Sequence, residues 1–315
     1  MGMIDDAVTA ISDWFKDLLA GGITSSLNTA NNMLGSSLNG KNGKGINSIF
    51  AEYLGNPVDF TGGGSNAIWT TIKTLTNNVI VPIGAFILCV VIVMEFINII
   101  MDHNNFKEFD TSIFVRWILK TICGILLVAN VFYIATGLFS LGSQSVTKGL
   151  STLFPSNSSG IVPSDIINSS TFHDTLVSQS VGTLIVTLLQ AFVLIIVTFI
   201  LLASIIIVLA NRIIEVFMYL SISPIPMATM MSGSGWNDIG KNWIKNILAL
   251  AFQGFFIVVA LGIFSTLFNN ALVSMVNSNS SSVSMTMATL LGFSVALIFT
   301  MFRTSSIAKS VFAAH

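Results

Sequence analysis

Long apolar runs separated by short polar segments make up most of this chain. The longest run, 181–210, holds thirty residues without a charge, and only a glutamine, a serine and three threonines interrupt it. About 20 apolar residues cross a hydrocarbon layer of roughly 30 Å, whereas a helix of this length at ~1.5 Å per residue reaches ~45 Å. The run is therefore too long for a helix in a soluble core, and as a membrane span it must tilt or protrude.

Four more runs have the length and apolarity of membrane spans; they cover 79–101, 113–141, 244–272 and 285–302. Composition agrees with this pattern, since 53% of the residues are hydrophobic, only 9% are charged and the mean hydropathy is +0.84. Soluble domains carry about 25% charged residues. The sequence therefore predicts an all-α, polytopic membrane helix bundle with about five transmembrane helices.

The first 78 residues have a different pattern. Apolar residues recur at helical spacing from Ile4 to Leu19 with aspartates on the remaining face, which predicts an N-terminal amphipathic helix that stops at Gly21 and Gly22. A segment rich in Ser, Thr, Asn and Gly follows, with short helical patterns near 24–38, 46–54 and 65–78. We expect two parts: an extracytoplasmic segment over 1–78 with short amphipathic helices, and a transmembrane helical domain over 79–315.

A broken segment, 213–231, follows the longest run and contains Pro224 and Pro226. Each proline lacks a backbone N–H and disfavours α-helical geometry in the residue before it, so nearby carbonyls need other partners. Irregular backbone at membrane depth persists only where protein buries it or where it faces water. We expect a re-entrant or interfacial segment that faces a pore or a partner; a sharp cytoplasmic turn is the alternative.

Lysine and arginine positions predict the orientation, because cytoplasmic loops are enriched in these residues. Basic residues flank the loop after the first span, the central break and the end of the last span, whereas 142–179 and 277–282 together hold one lysine. With five spans, an outer N-terminus and a cytoplasmic C-terminus, all of these flanking basic residues lie on the cytoplasmic side. If 213–231 crosses the membrane completely, there are six spans and these residues are split between the two sides.

Several acidic and basic residues lie within or beside the apolar runs. Arg212 and Glu215 are three apart on one helical face, which permits either an ion pair that anchors the helix or a charged lining for a cavity. Glu95 lies deep in the first span. Its carboxyl group is either protonated, paired with Lys120 or Arg116 of the neighbouring span, or exposed to an aqueous path.

Lys241 and Lys245 are four apart and therefore share a helical face close to the expected cytoplasmic side. There they would attract phosphate or an acidic loop of a partner, although the positive-inside rule alone explains two lysines. With Glu95, Arg212, Glu215, Pro224 and Pro226, they form our set of candidate channel or partner-contact residues.

Signals of catalysis and of cofactor binding are absent from the sequence. The histidines show no ligand spacing, and no Ser/His/Asp, HExxH, CxxC or paired-carboxylate arrangement occurs. The segment 35–42 approaches a phosphate-binding loop, but Asn42 replaces the hydroxyl residue that binds magnesium, and no strand precedes it. We therefore expect no catalytic activity, no cofactor and no metal.

The residues around the proline break resemble a known family. The sequence Asn211-Arg-Ile-Ile-Glu-Val-Phe-Met-Tyr-Leu-Ser-Ile-Ser-Pro-Ile-Pro226, followed by the Gly240-Lys-Asn-Trp-Ile-Lys245 segment, is similar to TrbL-like polytopic membrane subunits of conjugative type IV secretion systems. The likeness is strongest to those of low-GC Gram-positive mobile elements and sharpest over 211–256. The order of the spans supports it.

This resemblance implies a scaffold or channel subunit in the cytoplasmic membrane that assists the transfer of DNA or of a relaxase-bound strand. It implies partners among the other secretion membrane subunits and the cytoplasmic secretion ATPases, contact with transferred single-stranded DNA and membrane lipid, and an oligomer. It brings no catalytic residues. The alternative is a small-solute or ion-coupled transporter with Glu95, Arg212 and Glu215 as coupling residues, although one break without an internal repeat is unlike such proteins.

Overall fold

A computed structural model describes residues 2–38, 53–60, 67–102, 111–154, 164–233, 235–277 and 283–314. Over these residues the chain is almost entirely helical and contains no strand. The helices are α1 (Gly2–Leu38), α2 (Ala67–Leu75), α3 (Val81–Asp102), α4 (Thr111–Ala129), α5 (Val131–Leu153), α6 (Ser164–Ile167), α7 (Ser170–Val177), α8 (Val181–Ser221), α9 (Pro224–Thr229), α10 (Asn237–Asn277) and α11 (Val283–Val311). The expectation of an all-α bundle is confirmed.

Four helical segments among the described residues are long and apolar enough to cross a membrane: Ile68–Met101, Val181–Ser221, Asn237–Asn277 and Val283–Val311. Helices α4 and α5 add a fifth if the pair is one span, and they bend by 68° at their junction. The chain is therefore a multi-pass membrane protein. Several helices extend beyond the predicted apolar runs: α10, for example, begins at Asn237 and ends at Asn277, whereas the predicted run covers 244–272.

Two predicted helix ends are wrong. Helix α1 continues through Gly21 and Gly22, where a stop was expected. Glycine within a helix costs about 0.5–1 kcal/mol relative to alanine, and burial of Leu19, Ile23 and Leu27 in this stretch offsets that cost.

The second correction concerns the junction of α2 and α3. A π-helical segment, Thr76–Ile80, joins the two helices, so the helix expected to end near residue 78 runs on into the first span. The predicted division of the chain at residue 78 stays a prediction.

The described residues fall into two compact units. The first comprises Met1–Ala51, Thr147–Leu209 and Phe256–Thr304, and within it α1 packs against α6 and α7. The second comprises Glu52–Val146, Ala210–Phe255 and Ser305–His315, and within it α9 packs against α3 and α4. All seven candidate residues belong to the second unit, whose apolar core includes Phe139, Leu220, Met227, Trp243 and Leu250.

Candidate channel and partner-contact site

The break in the chain is shorter than the predicted 213–231 segment. Residues 213–221 belong to α8, and only Ile222 and Ser223 separate that helix from the six-residue α9. Pro224 occupies the first helical position of α9, where its missing N–H is tolerated. Both Pro224 and Pro226 are buried, so the segment is enclosed by protein rather than exposed at the surface of its unit.

Two carbonyls lack their usual helical donors because the prolines have no N–H, and neighbouring residues supply other donors. In an uninterrupted helix, the carbonyls of Leu220 and Ile222 would accept from residues four positions later, which here are the prolines. Instead the Ser223 N–H donates to the Leu220 carbonyl at 3.2 Å, and the Ile225 N–H donates to the Ile222 carbonyl at 3.1 Å. The Ser223 hydroxyl donates to the Leu220 carbonyl as well, at 2.7 Å.

The neighbouring carbonyls of Tyr219 and Ser221 receive side-chain donors from other helical segments. The indole Nε1 of Trp243, in α10, donates to the Tyr219 carbonyl at 3.1 Å. The hydroxyl of Thr76, in the π-helical segment, donates to the Ser221 carbonyl at 3.0 Å. Every carbonyl from 219 to 222 therefore has a partner, which satisfies the requirement that a buried break must meet.

Glycines allow other helices to approach α9 closely. A Cβ at Gly84, in α3, would lie 2.9 Å from Cβ and 3.0 Å from the carbonyl oxygen of Pro224. A Cβ at Gly240, in α10, would lie 2.6 Å from the carbonyl oxygen of Pro226. Since the atoms in the way include backbone oxygens, only glycine fits these positions without moving a helix. We call α9 with Thr76, Gly84, Gly240 and Trp243 the proline junction.

Glu95 forms an ion pair across two neighbouring helices. The Lys120 Nζ, in α4, lies 2.9 Å from the Glu95 Oε1, and the backbone N–H of Gly233 donates to the same oxygen. Of the alternatives left open by the sequence, the structure therefore has the pairing with Lys120. This pair ties the loop after α9 to α3 and α4.

Arg212 is buried, with 2% of its surface exposed, and its guanidinium binds backbone rather than a carboxylate. Its Nη1 donates to the Tyr53 carbonyl at 2.6 Å, and its Nε donates to the Leu250 carbonyl at 3.2 Å. The ion pair with Glu215, one of the two readings that the spacing permits, is not formed. A buried guanidinium needs hydrogen-bond acceptors, and for Arg212 these are two carbonyls that are distant in sequence.

Glu215 is half-buried and bonds within its own helix. Its Oε1 accepts from the Asn211 Nδ2 at 3.1 Å. Its Oε2 is buried and has no hydrogen-bond partner among the described residues. A carboxylate oxygen in this state is costly, so this position is one where a further contact would be stabilising.

Lys241 and Lys245 lie in the first turns of α10. The Nζ of Lys241 is 3.7 Å from Oδ1 of Asp238, and both side chains are more than half exposed. Such an exposed pair contributes little, about 0–1 kcal/mol, and leaves the lysine free to exchange partners. Lys245 is half-buried.

The candidate residues do not converge on one point. Pro224 and Pro226 share the junction, whereas Glu95 and Arg212 each anchor a different contact within the same unit. Sequence reasoning missed Thr76 and Gly84; the isolated glycine within an apolar run was a usable signal, because small residues mark close helix packing in membranes. Among the described residues, no group of three or more His, Cys, Asp and Glu side chains is placed to hold a metal ion.

Helix lengths, apolarity and buried polar contacts define this chain as a polytopic helical membrane protein. The family model described as TrbL/VirB6 plasmid conjugal transfer like protein matches residues 50–224, which is more than half of the chain. The chain therefore belongs to this family and is a membrane subunit of conjugal transfer, that is, of type IV secretion, which functions with other subunits of the system. No curated protein and no solved structure matches it.

The matched residues run from just before the second unit to the first proline of the junction. They include Glu95, Arg212, Glu215 and Pro224, whereas Pro226, Lys241 and Lys245 lie beyond them. Of the segment 211–256, where the resemblance is sharpest, the match therefore covers only the first part.

Proposed function

We propose that this chain is a channel or scaffold subunit in the cytoplasmic membrane of a conjugative type IV secretion system, where it assists the passage of DNA or of a relaxase-bound strand. The observation that carries the proposal is the family match over residues 50–224 in a chain whose helices are long enough to span a membrane. The role is structural, and no residue is assigned to catalysis.

The proline junction supports a fixed scaffold at the core of the second unit. Its carbonyls are satisfied by side chains of α10 and of the π-helical segment, and glycines hold α3 and α10 against it. A buried break with complete hydrogen bonding holds one geometry, because any movement leaves a carbonyl without a donor at membrane depth. We assign Pro224 and Pro226 the task of fixing this geometry.

Contacts with the rest of the secretion system are assigned to Lys241 and Lys245. In the proposed orientation the N-terminus lies outside and the C-terminus in the cytoplasm, so the two lysines face the cytoplasmic ATPases and the membrane subunits of the system. The exposure of Lys241 and its weak pairing with Asp238 leave it available for an acidic partner.

Recovery of transferred DNA crosslinked to this subunit tests the proposal. Donor cells engaged in transfer are treated with formaldehyde, the tagged subunit is isolated, and the transferred strand is quantified against a chromosomal locus. Enrichment of the strand supports the channel role, and recovery of other secretion subunits without the strand supports the scaffold role. Recovery of neither, from cells that transfer DNA normally, would contradict both.

A further inference from the structure

Helix α5 has one buried apolar face and one exposed polar face. The buried residues are Val131, Phe132, Ala135, Phe139, Gly142 and Val146. On the other side lie Tyr133, which is 71% exposed, and then Gly137, Ser140 and Gln144. Steps of four, three and four residues place these last four residues on one side of a helix.

This polar face is open and hydrophilic within its unit. A Cβ at Gly137 would meet no atom within 4 Å, and the Gln144 Nε2 donates to the Ser140 Oγ at 3.5 Å along the surface of the helix. At one end, the Lys73 Nζ lies 5.4 Å from the centre of the Tyr133 ring. The line itself carries no aliphatic side chain, and Leu141, which is 53% exposed, borders it, whereas a fully lipid-facing surface would carry mostly such side chains.

The buried face shows the depth of α5 in the membrane. A Cβ at Gly142 would meet the backbone of Ala251, and a Cβ at Gly254 would lie 2.9 Å from Cγ2 of Val146. Both contacts are with α10, a candidate span in which no Asp, Glu, Lys or Arg follows Lys245. Lys245 is the last charged residue of α10, and we take it as the edge of the hydrocarbon layer. Gly254 is nine residues beyond it, or ~14 Å along the helix, which is then about halfway across a layer of roughly 30 Å.

Polar residues exposed at this depth cannot face lipid at low cost. Transfer of a hydroxyl or amide group from water into an apolar medium without a partner costs roughly 2–7 kcal/mol. The lysine at the end of the face adds a charge, which in membranes is found facing water or protein. The face must therefore meet either an aqueous space or another protein surface.

We propose that the face formed by Tyr133, Gly137, Ser140 and Gln144, with Lys73 at its end, lines a water-filled path through the membrane. The inference rests on the proposed function and assigns to it a specific surface, one that suits a flexible hydrophilic polymer because it offers hydroxyl, amide and aromatic groups without a carboxylate. A second copy covering the face is the competing arrangement, and the test below separates the two.

Cysteine accessibility in native membranes tests this assignment. Cys89 and Cys123, both free and exposed, are first replaced by alanine. Ser140→Cys and Gln144→Cys then probe the face, while Leu141→Cys, 53% exposed on the same helix, and Leu119→Cys, 57% exposed on α4, are the lipid-facing controls. Open membrane fragments from cells carrying the transfer system are treated with a charged thiol reagent that reaches both sides.

We expect the two probes to react at least about tenfold faster than both controls, because each unit by which an apolar environment raises a thiol pKa removes tenfold of the reactive thiolate. Probes as slow as Leu119→Cys would mean that protein or lipid covers the face, and a Leu141→Cys as fast as the probes would mean that this part of α5 lies outside the membrane. Either outcome overturns the assignment.

Transfer frequency measured in the same strains keeps the two proposals apart. A water-accessible face in a system whose transfer does not need this gene would refute the proposed function and leave the path standing. Slow probes in a system that does need the gene would refute the path alone. If both the proposed function and the water-filled path hold, a bulky reagent attached at Gln144→Cys should lower the transfer frequency. The reduction should be at least about tenfold relative to the same treatment of Leu119→Cys, because the two sites should differ in labelling rate by that factor.

Discussion

Replacement of Pro224 and Pro226 by alanine should act in a graded manner, because each proline opposes a continuous α8–α9 helix. Proline within a helix costs about 3 kcal/mol relative to alanine, whereas at the start of a separate helix it is tolerated. Each substitution therefore stabilises the continuous helix relative to the bent form by about 3 kcal/mol, and the double substitution by about 6 kcal/mol.

The contacts of the bent form oppose this change. Met227 is completely buried, which is worth about 1.5–3 kcal/mol. The hydrogen bonds from Thr76 and Trp243 contribute about 1 kcal/mol each, and the remaining buried atoms of α9 add about 1 kcal/mol. Together these contacts stabilise the bent form by about 4–6 kcal/mol. This is more than the change caused by one proline substitution and about equal to the change caused by two. We expect either single variant to support transfer and the double variant to lose it.

A disulfide reports the bent form directly. A Cβ at Gly124, in α4, would lie 3.8 Å from the Cβ of Met231, which follows α9. That separation is typical of a disulfide, so Gly124→Cys with Met231→Cys should oxidise readily once Cys89 and Cys123 are replaced. In the double proline variant, the continuous helix is then favoured by between 0 and about 2 kcal/mol, which should slow oxidation about 2- to 30-fold. In each single variant the bent form stays favoured, so the oxidation rate should not change.

Two results would refute this reasoning. Oxidation as fast in the double proline variant as in the parent would show that the prolines do not select the bent form. Normal transfer with slowed oxidation would show that the junction is bent but that its geometry is not needed. Equal amounts of membrane-inserted protein in all variants serve as the control, since the apolar runs that drive insertion are unchanged.

Other substitutions test neighbouring contacts. Gly142→Ala should destabilise the protein in detergent by about 1–3 kcal/mol because the added methyl meets helix backbone, whereas Gly137→Ala, with open space, should not; equal melting temperatures would contradict this. Lys120→Met leaves the buried carboxylate of Glu95 without its cation and should lower the free energy of unfolding by about 1–3 kcal/mol. Neutralising Glu95 as well should restore that stability. An unchanged stability in the single variant would show that the ion pair does not stabilise the protein. Reversal of Lys241 and Lys245 to glutamate should weaken recovery of partner subunits from crosslinked membranes, with arginine at both positions as the control, and unchanged recovery would leave the lysines as markers of orientation only.

Features set by local spacing were predictable from the sequence. Run length and apolarity predict the spanning helices, because the thickness of a membrane fixes how many residues must be apolar. The pairing of Glu95 with Lys120 was among the predicted alternatives, since a short loop brings the two helices side by side. The position of a break near Pro224 follows from the missing N–H groups.

Contacts between distant segments were not predictable in the same way. Arg212 is three residues from Glu215, but its long side chain reaches the carbonyl of Tyr53, 159 positions away in sequence, instead. Spacing along one helix fixes only which side chains can meet, and tertiary packing decides which acceptor lies closer. Likewise, nothing local identifies Thr76 as the donor to the Ser221 carbonyl, because that bond depends on how two separate helices pack.

The most direct test of a role in conjugal transfer is the transfer frequency from a donor that carries an in-frame deletion of this gene. The matched strain expresses the intact chain in trans, and membrane levels of the other secretion subunits are measured in both. We predict loss of transfer in the deletion strain and restoration by the intact chain. Undiminished transfer without the gene would contradict this account and return the solute-transporter alternative to consideration.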